Sequence, residues 1–172
     1  MLFRTMDDLA APMPSFGRTA VARFSNSLGA TMKTILLPVD GSENSTRAVQ
    51  RAIDIYKESG ESKLLLVTAY PPIASGNVKR FFSAGDIQAF YMEEGQKALA
   101  PAKALLDAAG VPYEEEVLVG PVAQTIAECA KKKNVDTVIM GTRGLGTVSG
   151  MVLGSVTTKV LSLVDVPVLL VK

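Results

Sequence analysis

Four short runs of almost unbroken apolar residues recur along the chain, at 34–39, 63–69, 136–140 and 167–171, with helical patterns between them. A strand covered on both faces reads as a continuous apolar run, whereas a strand wetted on one side alternates. Apolar runs of strand length alternating with helices are the signature of βα units around a parallel sheet. A fifth run, from Glu114 to Val119, opens with three glutamates and is expected at a sheet edge, where charge discourages further strand pairing.

The helical stretches carry their own punctuation. Ser42 is placed to cap a helix with Glu43 at its positive end, and Ala48, Val49, Ala52, Ile53 and Tyr56 then share one face. A second helix runs from about Asp86 to Ala109 and stops before Gly110, with Pro101 expected to kink or split it. Gly120-Pro121 opens a third, which buries Val122, Ile126 and Cys129. A fourth begins near Gly154 and carries Val156, Val160, Leu161 and Val164. Residues 71–85, rich in Pro, Gly and Ser, read as a mobile loop.

At 172 residues the chain has one domain's worth of sequence. Residues 1–31 stand apart, with Pro12 and Pro14 breaking any helix and no apolar stretch of secretory type, and they are expected to form a flexible extension before a domain at 32–172. Two early aspartates, Asp7 and Asp8, count against a transit peptide.

Composition removes several chemistries. Histidine is absent and Cys129 is the single cysteine, which excludes histidine triads, zinc sites and an intrachain disulfide. Cys129 reads as a buried structural thiol in a reducing compartment, hence a cytoplasmic protein. A net charge of +1 gives no dominant basic field, so nucleic acid is not an expected partner. No apolar run approaches the ~18 residues that span a bilayer, so no membrane association is expected either.

Ligands of parallel α/β sheets bind beyond the carboxyl ends of the strands, where strand order reverses. Three such ends are chemically distinctive here. The first presents a carboxylate in Pro38-Val39-Asp40-Gly41-Ser42, and the second ends near Val67 with main-chain groups available to a flat apolar ligand. The fourth ends at Met140 and runs into Gly141-Thr142-Arg143-Gly144-Leu145-Gly146, followed by Gly150 and Gly154-Ser155. Glycines at this density allow positive φ and close backbone approach, and successive N–H groups can then cradle a phosphate. Ser155 adds a hydroxyl at the positive end of the fourth helix. Neither a Walker A sequence nor the dinucleotide fingerprint is present.

The spacing G-x2-G-x9-G-[ST] is filled by Gly141, Gly144, Gly154 and Ser155. With the opening Lys33 to Ser42, the Gly120-Pro121 helix start, the Asp136 to Gly144 segment and the ending Asp165 to Val171, the chain resembles the universal stress protein family over residues 32–172. The resemblance is to the members whose glycine pattern marks ATP binding. It implies a Rossmann-like, open five-stranded parallel α/β sheet of order 3-2-1-4-5 with helices on both faces. By the same resemblance Asp40 would accept from the ribose or lie near the nucleotide, and Pro38 and Val39 would line the base pocket. Val67 would meet adenine through its main chain, while Met140 and Gly141 would line the entrance to sugar and phosphates. Gly144, Gly154, Ser155, Val156 and Thr157 would hold the phosphates, with Mg²⁺ as a companion ion. The family also pairs commonly through its terminal strand, which implies a homodimer through residues 167–171.

Each position has a plainer reading. Asp40-Gly41-Ser42 serves equally as a turn and helix cap, Met140 as core, and Arg143 as a solvated cation rather than a phosphate contact. The Lys131-Lys132-Lys133 run is expected to complement a helix dipole in solvent. Three functions follow: an ATP-dependent regulatory or stress-response module, a slow ATPase, or an ATP-independent dimeric interaction protein. The first is preferred, because Asp40 is the single carboxylate near the site and cannot readily serve both ribose and attacking water.

Overall fold

The computed structural model describes residues 33–73, 82–146 and 153–172. The extension expected at 1–31, most of the loop expected at 71–85, and Gly150 lie outside the described residues.

Five parallel strands form one sheet: β1 (Thr34–Pro38), β2 (Lys63–Tyr70), β3 (Tyr113–Val119), β4 (Thr137–Gly141) and β5 (Val168–Val171), in the order β3-β2-β1-β4-β5. The helices are α1 (Glu43–Ser59), α2 (Ala84–Ala109), α3 (Val122–Lys132) and α4 (Ser155–Leu163). Alternate residues of each central strand feed two separate apolar layers. Ile35, Leu37, Leu64, Leu66 and Ile139 pack with Val49, Ile53, Leu99 and Leu106 of α1 and α2. Leu36, Leu65, Val67, Val138 and Met140 pack with Ala123, Ile126, Cys129 and Val160 of α3 and α4. Both faces are covered, which is why the central runs carry no polar alternation.

The helix boundaries follow from caps. Ser42 Oγ accepts from the Ser45 N–H at 3.3 Å, and Gly60 closes α1 at φ 74°, a left-handed conformation that glycine adopts without cost. The second helix starts at Ala84, earlier than expected, because Ser83 and Asp86 form a reciprocal capping box. It is also a single helix through Pro101 rather than a split one. Proline at 101 removes the hydrogen bond to the Lys97 carbonyl, and both residues face solvent, so no buried acceptor is orphaned.

The glutamates of the edge strand are each claimed by a lysine from a different element. Glu114 pairs with Lys63 of β2 at 2.7 Å, Glu115 with Lys103 of α2 at 2.7 Å, and Glu116 with Lys133 beyond α3 at 3.3 Å. Lys133 therefore has a defined partner, where the lysine run was expected to be solvated only. Leu161 is 39% exposed, so the buried stripe of α4 is narrower than its apolar content suggests.

Candidate functional site

β1 and β4 are neighbours at the point where strand order reverses, and a cleft of ≈580 Å³ opens there at their carboxyl ends. Pro38 at the end of β1, Val39 and Asp40 just beyond it, Val67 from β2, and Met140 and Gly141 from β4 line it. Gly144, Gly154, Ser155, Val156 and Thr157 line it too, so every residue that the resemblance assigned to the nucleotide borders this one space.

Local structure explains how these groups are held. Gly41 sits at φ 81°, a turn that favours glycine and carries the chain from β1 into the Ser42 cap. The turn leaves Asp40 with one carboxylate oxygen accepting from the Ser42 N–H at 3.0 Å and the other accepting from the Leu145 N–H at 3.0 Å. Asp40 thus ties the glycine loop after β4 to the end of β1. Val67 is 2% exposed, and its carbonyl accepts from the Val39 N–H at 2.8 Å, which leaves one lone-pair direction for anything else.

The motif glycines were expected to allow positive φ and close backbone approach, and none of Gly141, Gly144 and Gly154 takes a positive φ. For Gly141 and Gly144 the structural reason is proximity. A Cβ on Gly141 would lie 2.8 Å from the Asn44 carbonyl carbon, so the absent side chain lets α1 pack on the end of β4. Gly154 is the N-cap of α4, and its own N–H donates to the Thr142 carbonyl at 2.8 Å. With Thr158 N–H bonded to the Gly154 carbonyl, the N–H groups of Ser155, Val156 and Thr157 begin the helix without intrahelical acceptors and border the cleft. The Thr157 hydroxyl donates to the Gly141 carbonyl at 3.1 Å, so its side chain fastens α4 to β4 while its N–H remains available.

Several lining residues were not picked out from the sequence. Val122 and Ile126 read there as the buried stripe of α3, and in the structure the same two residues also line the cleft. Arg143, weighed between solvent and phosphate, lies on the wall with its Nε buried and lacking a hydrogen-bond partner among the described residues. A buried cationic donor in that state is stabilised by an anion placed beside it. At the mouth, the Tyr91 hydroxyl accepts from the Ile73 N–H at 2.7 Å and donates to the Pro71 carbonyl at 3.2 Å, which fixes Pro71 on the rim.

Cys129 takes no part in the cleft. It is 7% exposed in the layer beneath α3, and desolvation raises its thiol pKa, which suits a structural residue. Among the described residues no three His, Cys, Asp or Glu side chains come together to hold a metal, and no helix is long and apolar enough to cross a membrane.

The family model described as the Universal stress protein family matches residues 31–172. A universal stress protein of Thermus aquaticus is 38% identical over 141 residues, covering 81% of this chain and 98% of its own. The solved structure of hypothetical protein MJ0577 superposes with a TM-score of 0.72 at 27% identity, covering 83% of this chain and 96% of that one. A universal stress protein solved in complex with cAMP superposes with a TM-score of 0.63 at 32% identity, covering 83% and 98%.

Proposed function

Starting from the fact that the chain belongs to the universal stress protein family, we propose that it binds an adenine nucleotide in the cleft and acts as a nucleotide-dependent regulatory module. The observation that carries this reading is the polarity of the cleft. Val67, Val122, Ile126 and Met140 give one part of it an apolar lining suited to a base. Another part gathers the open N–H groups at the start of α4 and the unpartnered Nε of Arg143, which suit phosphate. The related protein solved with cAMP lends the adenine assignment support.

In this reading Pro38, Val39 and Val67 face the base, and Asp40 accepts from ribose hydroxyls with the lone pairs its two backbone bonds leave free. Met140 and Gly141 flank the sugar, and Gly144, Gly154, Ser155, Val156 and Thr157 meet the phosphates chiefly through their backbone. ATP is the preferred ligand, because three successive N–H groups and Arg143 offer more donors than a single phosphate requires. Magnesium would be carried by the phosphates of the nucleotide, since the described side chains offer no cage for it. Asp40 is engaged by Ser42 and Leu145, which ties it to positioning and leaves no other carboxylate among the described lining residues as a base for hydrolysis.

Equilibrium titration of the purified chain with ATP, ADP, AMP and cAMP tests this, together with identification of any nucleotide released on denaturation. Saturable binding of at least one of these supports the reading. No binding by any of them, with no nucleotide released, overturns it.

The partner is a second copy of the chain, joined along β5. That strand ends the sheet, and its four residues are only half-buried, so its outer edge is open to pairing. Sedimentation showing only monomer at micromolar concentration would remove this assignment.

A further inference from the structure

A second hollow, of ≈490 Å³, lies at the other end of the sheet from the cleft. It opens between the end of α3, the link into β4 and the link into β5, all of which precede the strands. Ala127, Val135, Val164 and Val166 give it an apolar lining, and Leu163 stands 45% exposed beside them. Its charged residues are Glu128 and Asp165 against Lys131. Nothing in the nucleotide-binding reading uses this surface, and the inference does not depend on that reading.

The chain enters the domain next to this hollow. Thr34 N–H donates to Asp136 Oδ2 at 2.8 Å, and Asp136 N–H donates to the Thr34 carbonyl at 2.8 Å. Lys33 is thereby held beside the Asn134–Val135 link that lines the hollow. The preceding 32 residues lie outside the described residues, and the family model starts only at residue 31. The hollow thus lies within the family domain, and the segment 1–30 precedes that domain.

We infer that the segment 18–31 docks in this hollow. Val21, Phe24 and Leu28 are spaced three and four apart, which gathers apolar side chains on one side of a helix. Arg18 and Arg23 are its charges, with no acidic residue between Leu9 and Val39, and they complement Glu128 and Asp165. Phe24 precedes Lys33 by nine residues, a reach of ~13 Å if helical and ~30 Å if extended, enough to lie over a neighbouring surface. A tethered segment is present at an effective concentration of order millimolar, whereas a second copy must first surrender its translational freedom. The tether makes the chain's own segment the favoured occupant.

Hydrogen exchange followed by mass spectrometry, on the full chain and on a chain starting at Met32 at matched concentration, tests this. Amides in 127–135 and 160–166 are expected to exchange about tenfold faster in the shortened chain. Leu163→Lys in the full chain, which sets a like charge against Arg18 and Arg23, should reproduce those rates and keeps the test decisive if the shortened chain folds poorly. Under oxidation, the full chain carrying Phe24→Cys and Leu163→Cys should form an intrachain disulfide, with the buried Cys129 not competing. Unchanged exchange in both the shortened chain and Leu163→Lys would overturn the inference. So would a disulfide formed only between chains, which would assign the hollow to a second copy.

Discussion

The carboxylate of Asp40 occupies the space that a side chain on Gly144 would need. A Cβ built on Gly144 falls 2.2 Å from Asp40 Oδ2 and 3.4 Å from its Cγ. The same oxygen accepts from Leu145 N–H at 3.0 Å, so the absence of one side chain lets the glycine loop close onto the end of β1.

Gly144→Ala should displace the Asp40 carboxylate and with it the loop. Losing a hydrogen bond to a charged group is worth about 1.5–3 kcal/mol, so nucleotide affinity should fall roughly 10- to 150-fold. The protein should still unfold cooperatively, since Asp40 lies at the surface end of a strand rather than in the core. Calorimetric titration alongside a thermal melt separates the two effects; unchanged affinity would mean that Asp40 does not touch the ligand.

Gly154 makes a useful contrast. Its φ of −72° suits any residue, and an added Cβ would find its nearest heavy atom at 3.5 Å, so Gly154→Ala should leave the melting temperature almost unchanged. Gly154→Val extends a branched side chain toward the start of α4, and binding of ATP should be lost while the fold stays intact. A Gly154→Val protein that binds ATP like the parent would place the phosphates elsewhere.

Asp40→Ala tests the assignment of binding over catalysis. ATP and ADP should both bind roughly 10- to 150-fold more weakly, following the loss of a charged acceptor. Any residual turnover at saturating ATP should change little. A large fall in that saturated rate with affinity nearly intact would put Asp40 at the reacting phosphate and make the protein an enzyme.

Burial raises the pKa of Cys129, and a nearby Glu116 adds to the shift. At pH 8 the folded protein should therefore react with a disulfide reagent far more slowly than the unfolded chain, which holds more thiolate. The sign for stability follows: the contribution of the protonated thiol is complete below the unfolded value of ~8.5 and is lost as pH rises through the higher folded value. Rapid labelling of the native protein at pH 8 would contradict the buried placement.

Much of this architecture is legible in residue order because burial on two faces leaves its mark on composition. Leu36 and Leu37, pointing to opposite layers, are both fully buried, and no polar residue can stand at either place. The glutamates of β3 announce an edge for the opposite reason. Strand order itself is not written in any spacing; it came with the family resemblance. Helix ends proved legible where a cap is local, as at Ser42, and less so where it rests on a reciprocal pair, as at Ser83 and Asp86. Pro101 misleads because a proline's cost depends on whether the orphaned carbonyl is wet, which sequence does not say. For the cleft, Asp40 and the glycines stand out as residue types, but Val122 and Ile126 do not: an apolar residue that walls a site looks like one that fills a core. The three-dimensional reason for glycine at 144, a carboxylate more than a hundred positions earlier, is likewise invisible in one dimension.

That separation bears on how the protein assembles. Thr34 meets Asp136 across 102 residues at one end of the sheet and Asp40 meets Leu145 across 105 at the cleft, so the two ends of the β1–β4 junction depend on the same long-range closure. The contacts of β1 with β2 involve shorter loops and can form while the second half of the chain is still being made; the pairing of β1 with β4 must wait for it. Non-local pairing of this kind is the slow step of folding. The cleft is thus among the last features to appear, and ligand capacity recovered during refolding should follow the slowest kinetic phase rather than the growth of helix content.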